Sequence, residues 1–153
     1  MRFLCSILLL FAWGLWLGGL ITVFFVVTLL FAADKTLAVQ VGPRVFPPFE
    51  KFELILGTVS LLACFFLRVT TKSGFWTLLF ALLVAAVLPA IASPLFVTPK
   101  LMHLWSQNLS YNADFKKLHG YSMMLYSTTT IMLALAGLLL PWGLMRKTTK
   151  ETP

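Results

Sequence analysis

The chain has 153 residues, of which 59% are hydrophobic and only 11% are charged. A soluble domain carries about 25% charged residues, so this composition excludes a protein whose whole surface faces water. The formal net charge of +7 would suggest nucleic acid as the partner of a soluble protein. Here the Lys and Arg residues stand at the ends of apolar segments, where they anchor helices to lipid headgroups. We therefore predict an integral membrane protein that partners the lipid bilayer and does not bind nucleic acid.

Four apolar segments follow one another and predict four transmembrane helices, roughly residues 3–33, 48–67, 74–97 and 118–144. The segments are continuously apolar rather than alternating, which favours helices over a β-barrel. The first is longer than the roughly 20 residues that a bilayer requires, so it must tilt or extend beyond the membrane. The predicted fold class is all-α, a four-helix transmembrane bundle. It forms a single domain, 1–153, that ends in a short basic tail, 146–153.

Prolines mark several of the predicted boundaries. Pro47 and Pro48 suit the first turn of the second helix, where Glu50 would meet the positive end of the helix dipole. Two loops, 34–47 and 99–117, are then expected on one face of the membrane. In the third helix, Pro89 and Pro94 should produce a kink or an early end.

Four crossings place both termini on the same face of the membrane. Lys and Arg are divided evenly between the two faces, so the positive-inside rule does not decide the orientation alone. Basic residues lie close to the helix ends at 68–72 and 146–150. This closeness favours a cytoplasmic location for both termini.

Glycines in the first helix are candidates for close helix packing. Gly14 and Gly18 form a Gly-x-x-x-Gly motif, and Gly19 follows directly. Small residues at this spacing let another helix approach closely. We expect them to pack within the same bundle, with a contact to another protein as the alternative.

Glu53 is a candidate site residue because it lies a turn inside the predicted second helix. An ionisable group at membrane depth is usually functional and needs a partner. Lys116 and Lys117 enter the membrane from the same face, and we expect them to provide that partner. The alternative is an interfacial Glu53 without a special role.

The two histidines of the chain, His103 and His119, flank the loop before the fourth helix. Met123 lies four residues after His119, on the same side of the helix, and Ser122 lies beside it. Imidazole and thioether ligands suit Cu(I), and two imidazoles suit a haem iron. The alternative is histidines that form hydrogen bonds at helix ends, so no cofactor is predicted and haem or copper remains open. We expect His119 to point into the bundle and to contact either the Glu50–Glu53 end of the second helix or the loop after Asp34.

Three stretches of sequence carry a family resemblance: WLGG at 16–19, VGPRVFP at 41–47 and FKKLHGYS at 115–122. Across roughly residues 13–140 the chain resembles the family of transmembrane protein 205 and its bacterial relatives, also called domain of unknown function 4149. The resemblance implies a compact four-helix protein of a bacterial inner membrane, whose activity is not established. It also draws attention to His119, Gly120 and Ser122, which fall in the most distinctive stretch.

The sequence contains no Ser-His-Asp set, phosphate-binding loop or pair of carboxylates, so we predict that the protein is not an enzyme. The first functional hypothesis is a structural or accessory subunit of a larger membrane complex or self-assembly. The second is a haem- or copper-binding protein that uses the face with His103 and His119. The third is a small transporter or channel component with Glu53 and Asp34 near its mouth.

Overall fold

Helices account for nearly all of the chain that the structure, a computed structural model, describes, residues 1–145. They are α1 (Arg2–Ala33), α2 (Lys35–Thr71), α3 (Gly74–Ala92), a π-helix (Ser93–Val97), α4 (Thr98–Ser106) and α5 (Ala113–Met145). The predicted basic tail, 146–153, lies outside the described residues.

Four helical segments are long and apolar enough to cross a membrane: α1, α2, the continuous run from α3 through α4, and α5. Many large apolar side chains remain exposed on their outer faces, such as Phe11, Leu62 and Leu138, while Trp16 and Leu133 are fully buried. Acyl chains cover apolar outer faces of this kind. The chain is therefore an integral membrane protein, and the predicted all-α four-helix fold is confirmed.

The helices form two pairs. α1 packs along α2, α3 packs along α5, and α2 also lies against α3. α1 and α5 touch less extensively. They are joined by hydrogen bonds from Trp13 Nε1 to the Leu133 carbonyl, at 2.8 Å, and from the Tyr126 hydroxyl to the Leu20 carbonyl.

The inner face of α1 is not the face that carries Gly14 and Gly18. A Cβ atom added to either glycine would meet nothing within 4 Å, so the predicted packing of these two glycines inside the bundle is wrong. The reason is rotational: Trp16 and Leu20 are buried, and a residue two positions away lies about 200° around the helix. Gly19 does pack inside the chain, because an added Cβ would lie 3.1 Å from Cε1 of Phe52.

The second helix begins much earlier than the sequence indicated. α2 starts at Lys35, because Asp34 Oδ1 caps it by accepting hydrogen bonds from the backbone N–H of Thr36, at 2.7 Å, and of Leu37, at 3.2 Å. Prolines 43, 47 and 48 all lie inside this helix. The predicted loop 34–47 and the predicted start at residue 48 are therefore wrong. Neighbouring groups in a membrane bundle can compensate the backbone hydrogen bonds that proline removes.

The third membrane crossing is distorted around Pro94, one of the two prolines from which the sequence predicted a kink or an early end. α3 ends at Ala92, and a π-helix follows in which the N–H of Thr98 bonds to the carbonyl of Ser93. Pro94 cannot donate a backbone hydrogen bond, which helps to shift the helical pattern here. A π-segment inserted between α-helices is frequent at functional sites. This one brings the hydroxyls of Ser93 and Thr98 to the same side, 3.3 Å apart.

The fourth predicted helix is longer than expected. α5 begins at Ala113 rather than residue 118, and α4 occupies much of the predicted loop 99–117. Both extensions continue transmembrane helices beyond their most apolar part. The half of the bundle that is distant from the termini is therefore built from helix, and it contains the candidate site.

Candidate functional site

A cavity of about 510 Å³ lies in the half of the bundle distant from the termini. α1, α2, the segment from α3 through α4, and α5 all contribute to its wall. Most of the lining side chains are apolar, among them Val27, Phe31, Phe46, Phe49 and Met102. Two hydrogen bonds join α1 to α5, one from Tyr126 to Leu20 and one from Trp13 to Leu133. The second lies closer to the termini than the first. Residues of both helices beyond the level of the first bond line the cavity, from Val23 to Phe31 on α1 and from Phe115 to Leu125 on α5.

Glu50 lines this cavity and is 7% exposed. Its Oε1 accepts a hydrogen bond of 2.7 Å from the Ser93 hydroxyl and a second, short one from the Thr98 hydroxyl. The π-helix supplies both donors, because Ser93 begins it and Thr98 follows it. The expectation that Glu50 lies in the first turn of the second helix is therefore wrong, because α2 already begins at Lys35.

Glu53 lines the same cavity one turn further along α2 and is 6% exposed. Its Oε1 accepts a hydrogen bond of 3.1 Å from Trp16 Nε1. Within the described residues this is the only hydrogen bond that the carboxylate receives. Glu53 is the central residue of α2, so its charge lies far from both helix ends.

The two glutamates form a pair of buried carboxylates, which the sequence did not lead us to expect. Residues three apart on a helix share a face, and both carboxylates point to the cavity. Every hydrogen bond that they receive from the described residues comes from a neutral donor. The predicted contact of Glu53 with Lys116 or Lys117 is not formed, and both lysines are exposed.

Three of the sequence-predicted site residues on α5 reach the cavity: His119, Ser122 and Met123. The His119 ring lies nearly parallel to the Phe115 ring, with an angle of 7° and a centroid separation of 6.3 Å. It forms no hydrogen bond with either glutamate among residues 1–145. His119 therefore lies in the wall of the cavity that the two glutamates also line, and its role as a site residue stays a prediction.

His103 does not line the cavity. It lies on the exposed side of α4, and its Nε2 is 3.2 Å from Nε2 of Gln107. Over residues 1–145 no group of three or more His, Cys, Asp or Glu side chains could hold a metal ion together. Haem or copper binding by His103 with His119 therefore stays a prediction from the sequence.

The rim of the cavity includes apolar side chains on the outer surface of α1 and α5. Phe24 and Val26 are both 47% exposed, Met123 is 42% exposed, and all three belong to the lining. Exposed apolar side chains on a membrane helix contact acyl chains. Exposed apolar side chains of both α1 and α5 therefore form part of the cavity wall.

Comparison with known proteins found no matching family model, no similar curated protein and no similar solved structure. The function of the cavity has to be inferred from its own chemistry.

Sequence reasoning missed Glu50, Ser93 and Thr98 as site residues. A signal for Glu50 was its spacing of three from Glu53, which places both on one helix face. The signal for the hydroxyls was their position directly before Pro94 and Pro99 in an otherwise apolar helix. Prolines in membrane helices release backbone groups that Ser and Thr side chains often satisfy.

Proposed function

We propose that the protein binds a lipid-soluble molecule in this cavity and acts as a small transporter or as its ligand-binding component. The observation that carries this function is the pair of carboxylates of Glu50 and Glu53 in a cavity whose walls are mostly apolar. This observation supports the third hypothesis from the sequence, a small transporter or channel component, better than it supports the other two.

The size and polarity of the cavity agree with a ligand site. Small-molecule pockets have volumes of about 300–1,000 Å³, with apolar walls and a few polar groups that orient the ligand. Here the apolar walls come from α1, α2 and α5, while the polar groups are concentrated around the two glutamates. A ligand would place its apolar part against the apolar walls and its polar part against the carboxylates.

The depth of the carboxylates also supports a functional role. Removal of a charged group from water is costly, and ionisable residues inside membrane bundles commonly mark substrate or ion pathways. A residue with a purely structural role in an apolar bundle could be uncharged. The presence of two carboxylates on one cavity wall is therefore explained by ligand binding.

Native mass spectrometry of the purified protein would test this function by detecting small molecules retained after release from the micelle. Ser122→Phe should fill the cavity from α5 and abolish retention. Ser127→Phe is the matched control, because Ser127 is exposed on the same helix and does not line the cavity. The function would be rejected if wild type retained no molecule, or if both variants retained the same amount as wild type.

A second candidate is the accessory-subunit role that was the first hypothesis from the sequence. The observation that favours it is the open space around Gly14 and Gly18 on the outer face of α1. Small residues on such a face allow close approach of a helix from another protein. Purification in a mild detergent should then recover a stoichiometric partner, or a self-assembly, that Gly14→Leu removes.

Orientation and location complete the proposed function. Basic residues near the terminal ends of the helices support a cytoplasmic location for both termini, so that the half containing the cavity is distant from the cytoplasm. The resemblance at 41–47 and 115–122 supports a bacterial inner membrane and a relation to the transmembrane protein 205 family. Part of each stretch lines the cavity, including Pro47 and His119.

A further inference from the structure

We propose, on the basis of the function above, that the ligand is an amphipathic organic cation and that its binding releases a proton from the Glu50–Glu53 pair. The ligand class is an apolar body, such as a set of aromatic rings or a branched alkyl chain, with a permanent positive charge.

The charge balance of the cavity requires a positive partner. Glu50 and Glu53 are each more than nine-tenths buried and line the cavity. Each receives hydrogen bonds only at Oε1, and the Oε2 atoms accept none from the described residues. A buried carboxylate without a counter-charge either binds a proton or pairs with a cation. The empty cavity therefore holds a proton, and the occupied cavity holds the charge of the ligand.

The other titratable groups in the cavity wall do not supply this charge. They are Lys116, His119 and Tyr126 on α5, and Tyr111 in the turn before it. Tyr126 donates its hydroxyl hydrogen to the Leu20 carbonyl. Leu20 lies one turn along α1 from Trp16, which donates a hydrogen bond to Glu53. Lys116 is exposed and ten residues before Tyr126, which places it about 15 Å away along the helix. His119 lies between Lys116 and Tyr126 along α5, and its ring stacks on the Phe115 ring.

Among the described residues, Glu50 and Glu53 of α2 are the only titratable groups that line the cavity from helices other than α5. The lining residues of α1, from Val23 to Phe31, are uncharged, and so are those of α3, the π-helix and α4. Ser93 and Thr98 contribute only hydroxyls. The Glu50–Glu53 pair is therefore the part of the cavity that an entering cation would meet as its counter-charge.

The walls suit the apolar body of such a ligand. Aromatic rings from three helices face the cavity, including Phe31 of α1, Phe49 of α2 and Phe115 of α5. The faces of aromatic rings attract cations, particularly when water is excluded. An inorganic cation would leave these apolar walls without contacts, whereas an organic cation uses both the walls and the carboxylates.

The exchange step balances in charge and atoms. The O–H bond of a protonated glutamate breaks heterolytically, its electron pair remains on the carboxylate, and the proton passes to water. The cation then pairs with the carboxylate without forming a covalent bond. One positive charge leaves the cavity and one enters, so the net charge of the cavity is the same before and after binding.

Binding of tritiated tetraphenylphosphonium to the detergent-solubilised protein would test this inference, with neutral triphenylphosphine oxide as the competitor. We expect the cation to bind and the neutral compound to compete at least tenfold more weakly. If one proton is released for each cation bound, linkage requires affinity for the cation to rise with pH, by up to about tenfold for each unit. A glass electrode in weakly buffered solution should record roughly one proton released for each cation bound.

Carboxamide variants give a second, independent measurement. Glu50→Gln and Glu53→Gln should each weaken cation binding by tenfold or more and reduce proton release. Asp114→Asn is the matched control, because Asp114 is an exposed carboxylate in the first turn of α5. Its binding and proton release should equal those of wild type. The pH dependence of the wild-type protein tests the inference even if a carboxamide variant fails to fold.

The outcomes separate this inference from the function on which it rests. If the neutral compound competes as well as the cation, and Ser122→Phe abolishes binding of both, the cavity binds lipid-soluble molecules but the cation exchange is wrong. If cation binding is independent of pH and releases no proton, the exchange is likewise overturned. If neither compound binds to wild type, the proposed function and this inference both fail.

Discussion

Trp16 Nε1 lies 3.1 Å from Oε1 of Glu53, and this hydrogen bond joins α1 to α2 near the middle of both helices. Trp16 is fully buried, and its ring packs against the position of Gly57, where an added Cβ would lie 3.1 Å from Cη2. The indole is therefore fixed, and so is the carboxylate that it binds. Because the donor is neutral, the pairing orients Glu53 without supplying a counter-charge.

Replacement of Trp16 with Phe should destabilise the protein by about 1–3 kcal/mol, because a buried carboxylate loses its hydrogen-bond donor. Trp13→Phe is the control. It removes the same N–H from an indole whose acceptor, the Leu133 carbonyl, lies inside α5 and can accept a bond within the helix. Thermal unfolding in detergent would compare the two variants. Equal loss of stability would show that the bond to Glu53 contributes nothing specific.

Gly137 should tolerate substitution far less than Gly18. A Cβ atom added to Gly137 would lie only 2.8 Å from Cη2 of Trp13, so Gly137→Ala must displace the indole that joins α1 to α5. Overpacking of this kind costs about 1–3 kcal/mol. Gly18→Ala meets open space and should change stability little. Thermal unfolding of both variants in the same detergent would measure the difference, and similar stabilities would contradict the packing between α1 and α5.

The fold could be predicted from the sequence because hydropathy reports directly on membrane crossing. The first helix was predicted at residues 3–33 and is found at Arg2–Ala33. The second was predicted too short, because prolines 43, 47 and 48 were interpreted as a boundary. Proline breaks a helix mainly through the backbone groups that it leaves without partners. In a bundle, neighbouring helices can satisfy those groups, and a single sequence does not indicate where they do so.

The candidate site was less predictable, because sequence gives depth along a helix more reliably than it gives partners across helices. Glu53 was identified from its depth, but its partner was expected to be a lysine and is Trp16. Charge alone suggested Lys116, whereas the pairing depends on which faces of α1 and α2 meet. The same limitation led to the wrong expectation for Gly18, whose motif contains no information about the face on which it lies.

The two hydroxyls around Glu50 should contribute measurably to stability. Thr98→Val keeps the shape of the side chain but removes a donor to the buried carboxylate, and we expect a loss of about 1–2 kcal/mol. Thr128→Val is the matched control, because the Thr128 hydroxyl is exposed and bonds only to the Met124 carbonyl of its own helix. Chemical or thermal unfolding in detergent would compare the two. A loss equal to that of the control would argue against a structural role for the Glu50 cluster.

Cysteine labelling in intact cells should give the orientation of the bundle. In a background with Cys5→Ser and Cys64→Ala, Gln107→Cys places a thiol at the exposed end of α4, and Ser73→Cys places one in the turn between α2 and α3. Because basic residues lie near the turn at 68–72, we expect that turn to face the cytoplasm. A reagent that cannot cross the membrane should therefore label residue 107 and not residue 73. The reverse pattern would invert the proposed topology.

His119→Ala should affect the protein more than His103→Ala, because the two histidines have different surroundings. His119 is half-buried in the cavity wall beside Phe115, whereas His103 is exposed and contacts Gln107. Loss of the His119 ring removes packing and widens the cavity, so we expect a loss of about 1 kcal/mol together with weaker binding of tetraphenylphosphonium. Thermal unfolding and radioligand binding would measure these effects, while absorption spectra and metal analysis would report any bound haem or copper. If both variants retained wild-type stability, binding and metal content, His119 would have no role in the site.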